Sequence, residues 1–563
     1  MTRLSRTSAT SCVLAVCACG SNPKQATHSG DMVSTASLDS DVSIETGTPT
    51  DSADTAPIPP VDNDGDGYSA EEDCDDADPS RYPGAPERCD DGVVSDCTLS
   101  EDQALDLCRV VSPDRAVLEW NLASSERDPV RGRPIGDTNG NGKLEVAFGS
   151  TRSHGGDYAS GGIVIYDDLW SGGWHEEPDP TVVPGIAEWD AIGTDILPIG
   201  DVNADGFDDI VVGASDDPYN PSSGTPALYV LLGPIESDAF NHATALVDNP
   251  YNNECLGSVL TSIPTLGDPA PPIVAASGQC RATVRLFETG VSGPLSPTGD
   301  AIAVLQGPAP DRTSGFGHSL ASADFDGDGF SDLAVGAPEY IQSAPRNGLG
   351  FVSVFNGPVV GDLTYNDAHA TLTAHAADSA PYGESGVQVL FFGSGLASDD
   401  FDGDGYADLA VGAPVQNAVV SDLLEGAVHI FPGPLSGAID LGSATLSILG
   451  DGQNDGLGGS IEAGSDVDGD GSNDLLVGNA YLEITGTAFS TWGSAAKRTW
   501  LFHGPLPTGT MDAADFDAAY EWPDVPLFGA QVTSVGDLDG DGTHEVLVGT
   551  LGNHFLLFTQ PGF

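Results

Sequence analysis

The chain has 563 residues and carries 85 Asp and Glu against 18 Lys and Arg, which gives a formal net charge of −67 at pH 7. A surface this acidic repels nucleic acid and anionic lipid headgroups, so the sequence predicts no nucleic-acid partner and no direct contact with lipid. The balance suits a domain in a medium that supplies cations, and adaptation to high salt explains it equally well.

The first 19 residues have the pattern of an export signal, because Arg3 and Arg6 precede the short apolar run SCVLAVCA. That run is too short to span a bilayer, and no other segment has 18 or more apolar residues. The letters VCAC and GSN at residues 16–22 resemble a bacterial lipobox with Cys19 as the lipidated residue. The resemblance implies a signal peptide over residues 1–18 and a lipid anchor as the sole membrane contact. We therefore expect an outer-membrane or cell-surface lipoprotein of a bacterium, with a secreted or periplasmic protein as the alternative.

Residues 19–61 are rich in Ser, Thr, Asp and Pro and hold almost no large apolar side chains. Such a composition cannot bury a core, so the sequence predicts a disordered tether.

Residues 62–109 form a separate acidic module with its own cysteines. Asp62, Asp64, Asp66 and Asp73 occupy positions 1, 3, 5 and 12 of a calcium-loop pattern, with Gly67 at position 6. The DCDD and YPGAPE runs resemble the short metal-binding motif named after the copper-binding protein MopE. Residues 62–108 contain no His, Met or Trp, and oxygen ligands favour Ca²⁺ over copper. The alternative is an acidic linker held by disulfides.

Six of the nine cysteines lie beyond the export segment, and an even number in an exported chain predicts disulfides. Four of them allow three pairings that the sequence leaves open: Cys74, Cys89, Cys97 and Cys108. The other two, Cys255 and Cys280, are predicted to pair with each other, and free buried thiols are the alternative.

Six nine-residue stretches then repeat one pattern, with an oxygen-bearing side chain at positions 1, 3, 5 and 9 and Gly at position 6. The predicted ligands are Asp137, Asn139, Asn141 and Glu145; Asp201, Asn203, Asp205 and Asp209; Asp324, Asp326, Asp328 and Asp332; Asp400, Asp402, Asp404 and Asp408; Asp466, Asp468, Asp470 and Asp474; and Asp537, Asp539, Asp541 and Glu545.

This spacing indicates a metal site. Two carboxylates at about 4 Å repel by about 4 kcal/mol at an effective dielectric near 20, so a cation is needed to offset the repeated pattern. Oxygen ligands without His or Cys favour Ca²⁺, and Gly at position 6 permits the turn. Position 7 varies, as expected for a backbone carbonyl ligand whose side chain is irrelevant. The first loop should bind most weakly, because Asn139 and Asn141 replace acids. Ordinary hairpin turns are the alternative.

The spacing of the loops predicts a propeller. They begin at residues 137, 201, 324, 400, 466 and 537, each before an apolar strand-like run, and the 123-residue gap is about twice the others. We therefore expect a hidden unit at residues 256–278, with its flanking strands but no acidic loop. Seven units of several short strands predict an all-β, seven-bladed β-propeller over residues 113–563. Residues near 116–122 are expected to supply the outer strand that closes the seventh blade, and the pair Cys255 and Cys280 would staple the hidden one.

Two units carry a more specific signature. Phe316-Gly317 with Gly336-Ala337-Pro338, and Phe392-Gly393 with Gly412-Ala413-Pro414, resemble the FG-GAP repeat of the integrin α-chain propeller. The resemblance implies the seven-bladed fold and Ca²⁺ in the acidic loops. We therefore expect about six ions in the propeller, beside the one that the calcium-loop pattern predicts in the N-terminal module. It also implies recognition or adhesion toward an unknown protein or glycan, on the face opposite to the loops.

The sequence predicts no enzyme. Its eleven His are scattered, and no nucleophile elbow, phosphate loop or dinucleotide fingerprint has a supporting strand–helix context. Two alternatives to recognition remain: a purely structural envelope protein, and a propeller lyase or hydrolase acting on polysaccharide.

Overall fold

A computed structural model describes most of the chain beyond residue 129 and short stretches before it. The described residues are 68–69, 74–75, 77, 81–83, 97–98, 110–111, 116, 118–121, 130–150, 161–167, 180–185, 191–214, 227–248, 255–265, 271–278, 281–290, 301–308, 314–338, 350–374, 388–417, 426–450, 456–479, 498–522, 528–538, 540–550 and 554–558. The predictions for Cys19, Asp62, Asp64, Asp66, Asp73, Cys89, Cys108, Cys280 and Asp539 lie outside them.

Seven antiparallel sheets follow one another along the chain, and we call them blades 1 to 7, each with strands A to D. The strands are Val130–Gly136, Glu145–Ser150, Gly162–Tyr166 and Thr181–Pro184 in blade 1; Ile192–Gly200, Asp209–Ala214, Ala227–Leu231 and Thr244–Asp248 in blade 2; Leu256–Ile263, Ile273–Gly278, Thr283–Glu288 and Ala303–Gln306 in blade 3; Leu320–Ala323, Asp332–Gly336, Phe351–Phe355 and Ala370–Thr373 in blade 4; Leu396–Asp399, Asp408–Gly412, Ala427–Phe431 and Leu446–Leu449 in blade 5; Leu457–Ser465, Asp474–Asn479, Arg498–Phe502 and Ala518–Glu521 in blade 6; and Gln531–Gly536, Glu545–Gly549, His554–Phe558 and Leu118–Asn121 in blade 7.

The blades form a closed ring. Strand A of each blade lies beside strand A of the next, and that of blade 7 lies beside that of blade 1, so the A strands surround a central axis. Strand B is buried on both faces, as in the DLAVG runs of blades 4 and 5, because each blade packs between two neighbours. The predicted seven-bladed all-β propeller is confirmed.

The predicted closing strand is also confirmed. Leu118–Asn121 pairs antiparallel with His554–Phe558, with Leu118 opposite Leu557 and Asn121 opposite His554. Blade 7 therefore takes three strands from one end of the chain and its outermost strand from the other. The predicted hidden unit forms blade 3, whose Cys255 is disulfide-bonded.

Blades 3 to 6 carry a fifth strand beside strands A to D. Each added strand pairs in parallel with strand D of one blade and comes shortly before strand D of the next blade in sequence. The added strands are Gly361–Thr364 on blade 3, Gly437–Asp440 on blade 4, Gly509–Asp512 on blade 5 and Val110–Val111 on blade 6. The last of these immediately precedes the closing strand, so the ring closure repeats the arrangement of the other blades.

The other elements in the described part of the chain are short. They are the 3₁₀ helices Ala239–Asn241, Tyr365–Asp367, Leu441–Ser443 and Ala513–Asp515 and the two-stranded pair Gln388–Leu390 with Val415–Asn417. Among the described residues, none of the helices has the length and apolar character needed to cross a membrane. In the N-terminal module Cys74 is bonded to Cys97, which selects one of the three open pairings.

Glycines allow neighbouring blades to approach closely. Gly412 ends strand B of blade 5 and lies against Gly458 of blade 6. A Cβ added to Gly412 would overlap the carbonyl oxygen of Gly458. The same overlap would arise at Gly149, Gly213, Gly336 and Gly478. The glycines that accept these contacts each follow an apolar residue at or just before the start of strand A, in a pair that we call the apolar-Gly step: Gly193, Gly257, Gly393, Gly458 and Gly529. The apolar-Gly step thus supplies a backbone surface on which the preceding blade rests.

We expect Gly412→Ala to lower the free energy of unfolding by at least about 2 kcal/mol, because the neighbouring atom is backbone and cannot rotate away. Gly442→Ala is the matched control, since its added Cβ would contact only the Asp440 carboxylate at 3.3 Å. Denaturant unfolding of both variants measures the difference. Equal stability of the two would contradict the close packing of the blades.

Candidate metal centre

All six acidic loops lie on one face of the ring. Each connects strand A to strand B of its blade, and the residue at position 9 is the first residue of strand B. Because A–B connections leave every blade at the same edge, the loops form a circle interrupted only at blade 3.

Backbone N–H groups fix the carboxylates inside each loop. In blade 5, Oδ1 of Asp400 accepts a hydrogen bond from the N–H of Asp404 at 3.0 Å and Oδ2 accepts one from Gly405 at 2.9 Å. Asp402 accepts from Asp404 at 3.1 Å, and Asp404 accepts from Tyr406 at 2.9 Å. The loops of blades 1, 2, 4, 6 and 7 repeat the bond from Gly at position 6 to the acid at position 1. In the blade 5 loop the turn therefore holds both oxygens of Asp400 and one oxygen each of Asp402 and Asp404.

The carboxylates converge at distances that suit a cation. Three groups have ligand atoms within 4.8 Å of one another: Asp324, Asp326 and Asp332; Asp400, Asp402 and Asp404; and Asp466, Asp468 and Asp474. Two oxygens on opposite sides of one Ca²⁺ ion would be about 4.6–5.2 Å apart, twice the usual ligand distance. These acidic groups can hold a metal ion, and the donor set of oxygens suits Ca²⁺.

The carboxylate at position 9 also holds the loop to its blade. Asp408 is fully buried; its Oδ2 accepts the N–H of Phe401 at 3.0 Å and its Oδ1 accepts the N–H of Gly433 at 2.9 Å. The same second bond joins Gly233 to Asp209, Gly357 to Asp332 and Gly504 to Asp474. Each of those glycines is followed by proline, and the Gly-Pro step comes shortly after strand C. The Gly-Pro step is therefore found in the four blades whose position 9 is Asp.

In blades 1 and 7 position 9 is Glu, and the Gly-Pro step that follows strand C in blades 2, 4, 5 and 6 is absent. Oε2 of Glu145 accepts hydrogen bonds from the backbone and hydroxyl of Thr138 at 2.6 and 2.8 Å. Its Oε1 is buried and has no hydrogen-bond partner in the described part of the chain. A buried carboxylate oxygen without a donor fits a cation ligand, which supports a metal even in the loop with two Asn.

Burial raises the pKa of the position-9 acids. It raises the pKa of Glu145 to about 7 and that of Asp332, Asp408 and Asp474 to about 6, although hydrogen bonds from backbone N–H groups oppose it. Neighbouring loop carboxylates add to the rise through repulsion. A bound cation would offset both costs.

Without a cation, the protein should be less stable at neutral than at mildly acidic pH. A carboxyl whose folded pKa is raised stabilises the folded state below its unfolded value, roughly 4, and this contribution disappears as the pH rises through the folded value. The melting temperature in chelator should therefore fall from about pH 4.5 to 7, and Asp408→Asn should reduce that slope. A chelated protein that gains stability over this range would contradict the buried charges.

Neighbouring loops contact each other through position 7, although its variation in the sequence predicted an irrelevant side chain. A Cβ on Gly140 would meet the ring of Phe207 from the next blade, and one on Gly327 would meet the ring of Tyr406. The N–H of Asp208 also donates to the carbonyl of Asp137 at 3.0 Å. Position 7 therefore packs on the glycine at position 4 of the preceding loop, and the loops support one another.

Three side chains that the motif did not include face the loops from the residue after strand C. Nδ1 of His503 lies 3.1 Å from Asp468, Asn356 donates to Asp326, and Asn141 donates to Asp167 at 2.6 Å. In blades 4 and 6 this residue directly precedes the Gly-Pro step, which is the sequence signal that could have identified it.

We expect Asp326→Ala to weaken Ca²⁺ binding more than Asn139→Ala does, because a charged ligand is lost from a group of three converging acids. Calcium titration should show about tenfold or more weaker binding at one site for Asp326→Ala, equivalent to about 1.4 kcal/mol. The exposed Asp362, which lies outside the loops, provides the control substitution Asp362→Ala. Unchanged calcium binding in all three variants would contradict the assignment of the loops as calcium sites.

Comparison with known proteins agrees with this architecture. A protein-family model described as FG-GAP repeat matches residues 316–355 and 392–431. The first range runs from just before strand A of blade 4 to the end of its strand C, and the second covers the same part of blade 5. The chain carries FG-GAP repeats. Phe392 of the second FG-GAP repeat is fully buried, and Gly393 and Gly412 are joined by a hydrogen bond of 2.9 Å that fixes the apolar-Gly step to strand B.

Integrin alpha chains are similar to part of this chain. Integrin alpha-7 of Rattus norvegicus is 35% identical over 171 residues, 30% of this chain and 13% of that protein. Integrin alpha-V of Gallus gallus is 28% identical over 266 residues, 45% of this chain and 22% of that protein. The phosphatidylinositol-glycan-specific phospholipase D of Rattus norvegicus is 36% identical over 172 residues, 29% of this chain and 18% of that protein. The chain spans less than a quarter of each relative's length. The predicted resemblance to integrin α-chain FG-GAP propellers is confirmed.

Proposed function

We propose that the protein is an exported, calcium-stabilised β-propeller that serves as a recognition or adhesion module of a bacterial cell envelope. In this proposal residues 1–18 are removed, Cys19 carries the lipid, residues 19–61 form the tether, and residues 62–109 bind a seventh Ca²⁺ ion beside about six in the propeller. The ligand is a protein or a glycan, and the membrane is contacted by the lipid anchor only.

The observation that carries the proposal is the circle of loops on one face, with three groups of converging carboxylates within 4.8 Å. Cations there would hold the A–B edges of neighbouring blades rigid. A ring fixed in this way leaves its opposite face, formed by the B–C and D–A connections, available for a ligand. Similarity to integrin alpha chains supports recognition as the role of the propeller.

The proposal is tested with the purified protein on glycan arrays and in pull-down from envelope extracts, each with Ca²⁺ and with chelator. We expect specific capture that chelator abolishes. A protein that melts earlier in chelator but captures nothing in Ca²⁺ would favour a purely structural envelope role. Turnover of a polysaccharide would instead point to a lyase or hydrolase, for which no residue of the described chain has been assigned a catalytic role.

The anchor has its own test. In a bacterial host, Cys19→Ser should move the protein from the membrane fraction to the soluble exported fraction, whereas Cys17→Ser should leave it membrane-bound. Metabolic labelling with a fatty acid should follow the same division. Equal labelling of the Cys19→Ser variant would overturn the lipid assignment without affecting the propeller.

A further inference from the structure

A polar cavity of about 280 Å³ lies on the axis of the ring. Strand A or the turn before it contributes lining residues from blades 1, 3, 4, 5, 6 and 7. None of the six acidic loops lines it, and in blades 4 and 5 the lining residues lie in the turn before strand A and at its first residue. The cavity is therefore separate from the loops and lies toward the opposite face.

Two of the 18 basic Lys and Arg residues of this acidic chain meet at the cavity. Arg131 and Arg133 are two residues apart in strand A of blade 1, so their side chains leave the same side of the strand. Both line the cavity, and about one third of each side chain is accessible, 33% and 31%.

Both guanidinium groups are held by carboxylates of other blades. Nη1 of Arg131 lies 3.2 Å from Oδ2 of the buried Asp195, which also accepts the N–H of Leu260 at 2.9 Å. Nη1 of Arg133 lies 3.5 Å from Oε2 of Glu462. Each of these contacts uses one nitrogen of a group with five N–H donors, so the pairs orient the arginines and leave donors for a ligand.

The cavity is shielded from water enough to shift the pKa values of the ionisable side chains that line it. Burial lowers the pKa of His318 to about 4, with repulsion from Arg131 adding to the effect, so the imidazole is neutral at pH 7. Burial also acts to lower the pKa of Arg133, but Glu462 and Asp195 raise it by more, and the guanidinium stays charged. Two charged guanidinium groups, each paired with one carboxylate, and a neutral imidazole thus share one small space.

We propose that this axial cavity binds a small carboxylate, with Arg131 and Arg133 as its anchors. A planar carboxylate matches the fork of a guanidinium, which can donate two parallel hydrogen bonds to it. The volume lies just below the usual range of ligand pockets, roughly 300 to 1,000 Å³, and therefore suits a ligand as small as a single sugar acid or amino acid. Elsewhere the acidic surface would repel such a ligand, so binding is confined to the axis.

The proposal deepens the recognition function by naming a ligand chemistry, and it rests on that function for its biological role only. Its test is direct: calorimetric titration of the purified protein, in calcium buffer, with D-glucuronate, D-galacturonate and L-glutamate. D-Glucose is the matched neutral probe, because it lacks only the carboxylate of glucuronate. We expect saturable binding of at least one carboxylate, with at least tenfold preference over glucose. Comparison of the two sugar acids with glutamate shows whether the cavity accepts a sugar acid or an amino acid.

Arg133→Gln should weaken that binding at least tenfold, and Arg498→Gln should not, because Arg498 pairs with Glu521 in the outer half of blade 6, away from the cavity. Ala530→Leu fills the cavity while keeping both arginines, and it decides the matter if Arg133→Gln does not fold. Absence of carboxylate binding, equal binding of glucose, or binding that survives Ala530→Leu would overturn the proposal. Loss of calcium-dependent capture with carboxylate binding intact would instead contradict only the proposed function.

Discussion

Removal of calcium should lower the melting temperature of the protein by about 10 °C or more. A ligand that binds only the folded state at 100 times its Kd contributes about 2.7 kcal/mol, and several such sites act together on one ring. The loops pack on one another, as Phe207 does on Gly140, so an empty loop also weakens its neighbour.

Thermal melts in Ca²⁺, in chelator, and in chelator followed by excess Ca²⁺ measure this effect. Mg²⁺ at equal concentration should restore less, because it demands a tighter octahedral shell than these flexible loops provide. Metal analysis of the purified protein supplies the stoichiometry. A melting temperature that chelator leaves unchanged would show that the carboxylates are tolerated without a cation, and the calcium assignment would be withdrawn.

Deletion of residues 20–121 should abolish cooperative unfolding of the propeller. It removes Leu118–Asn121 from blade 7 and Val110–Val111 from blade 6, so two outer edges lose their partner strands. Four residue pairs are lost in blade 7, and their ladder hydrogen bonds contribute about 1 kcal/mol each before any apolar burial is counted. The exposed strand His554–Phe558 would present an unpaired apolar edge, which favours aggregation.

The matched control is deletion of residues 20–108, which removes the tether and the Cys-rich module but keeps both strands. It should melt within a few degrees of the full chain. Hydrogen exchange of blade 7 would separate the two variants even if both stay soluble: we expect protection of strand C in the control and its loss in the longer deletion. Equal protection in both would mean that the ring does not need its closing strand.

Much of this molecule can be predicted from local patterns. The loops, the hidden blade and the closing strand all follow from a repeated unit, because each repeat shows what the neighbouring one should contain. Strand pairings between neighbouring repeats are harder to predict from the sequence. The fifth strands, such as Gly361–Thr364, are set by the adjacent blade, and their sequences carry no alternating pattern of their own.

The same limit applies to the candidate sites. The motif identifies Asp408 as an oxygen at position 9, but its bond to Gly433 depends on a residue 25 positions away. The cavity depends on Arg133 and Glu462 meeting at the axis from blades that are not adjacent, and no local pattern brings them together. The disulfide between Cys74 and Cys97 likewise needed coordinates to choose among three pairings.

The closing strand also determines how the propeller would respond to mechanical force. A pull on the N-terminal side of the chain is transmitted first to Val110–Val111 on blade 6 and then to Leu118–Asn121 on blade 7. The tension therefore acts on two neighbouring blades and on the junction between them. It is shared by the parallel pairing of Val110–Val111 in blade 6 and the antiparallel pairing of Leu118–Asn121 in blade 7. A protein tethered by its N-terminus and held by a ligand would be loaded at the seam of its own ring, and the strength of that seam would set the force at which it opens.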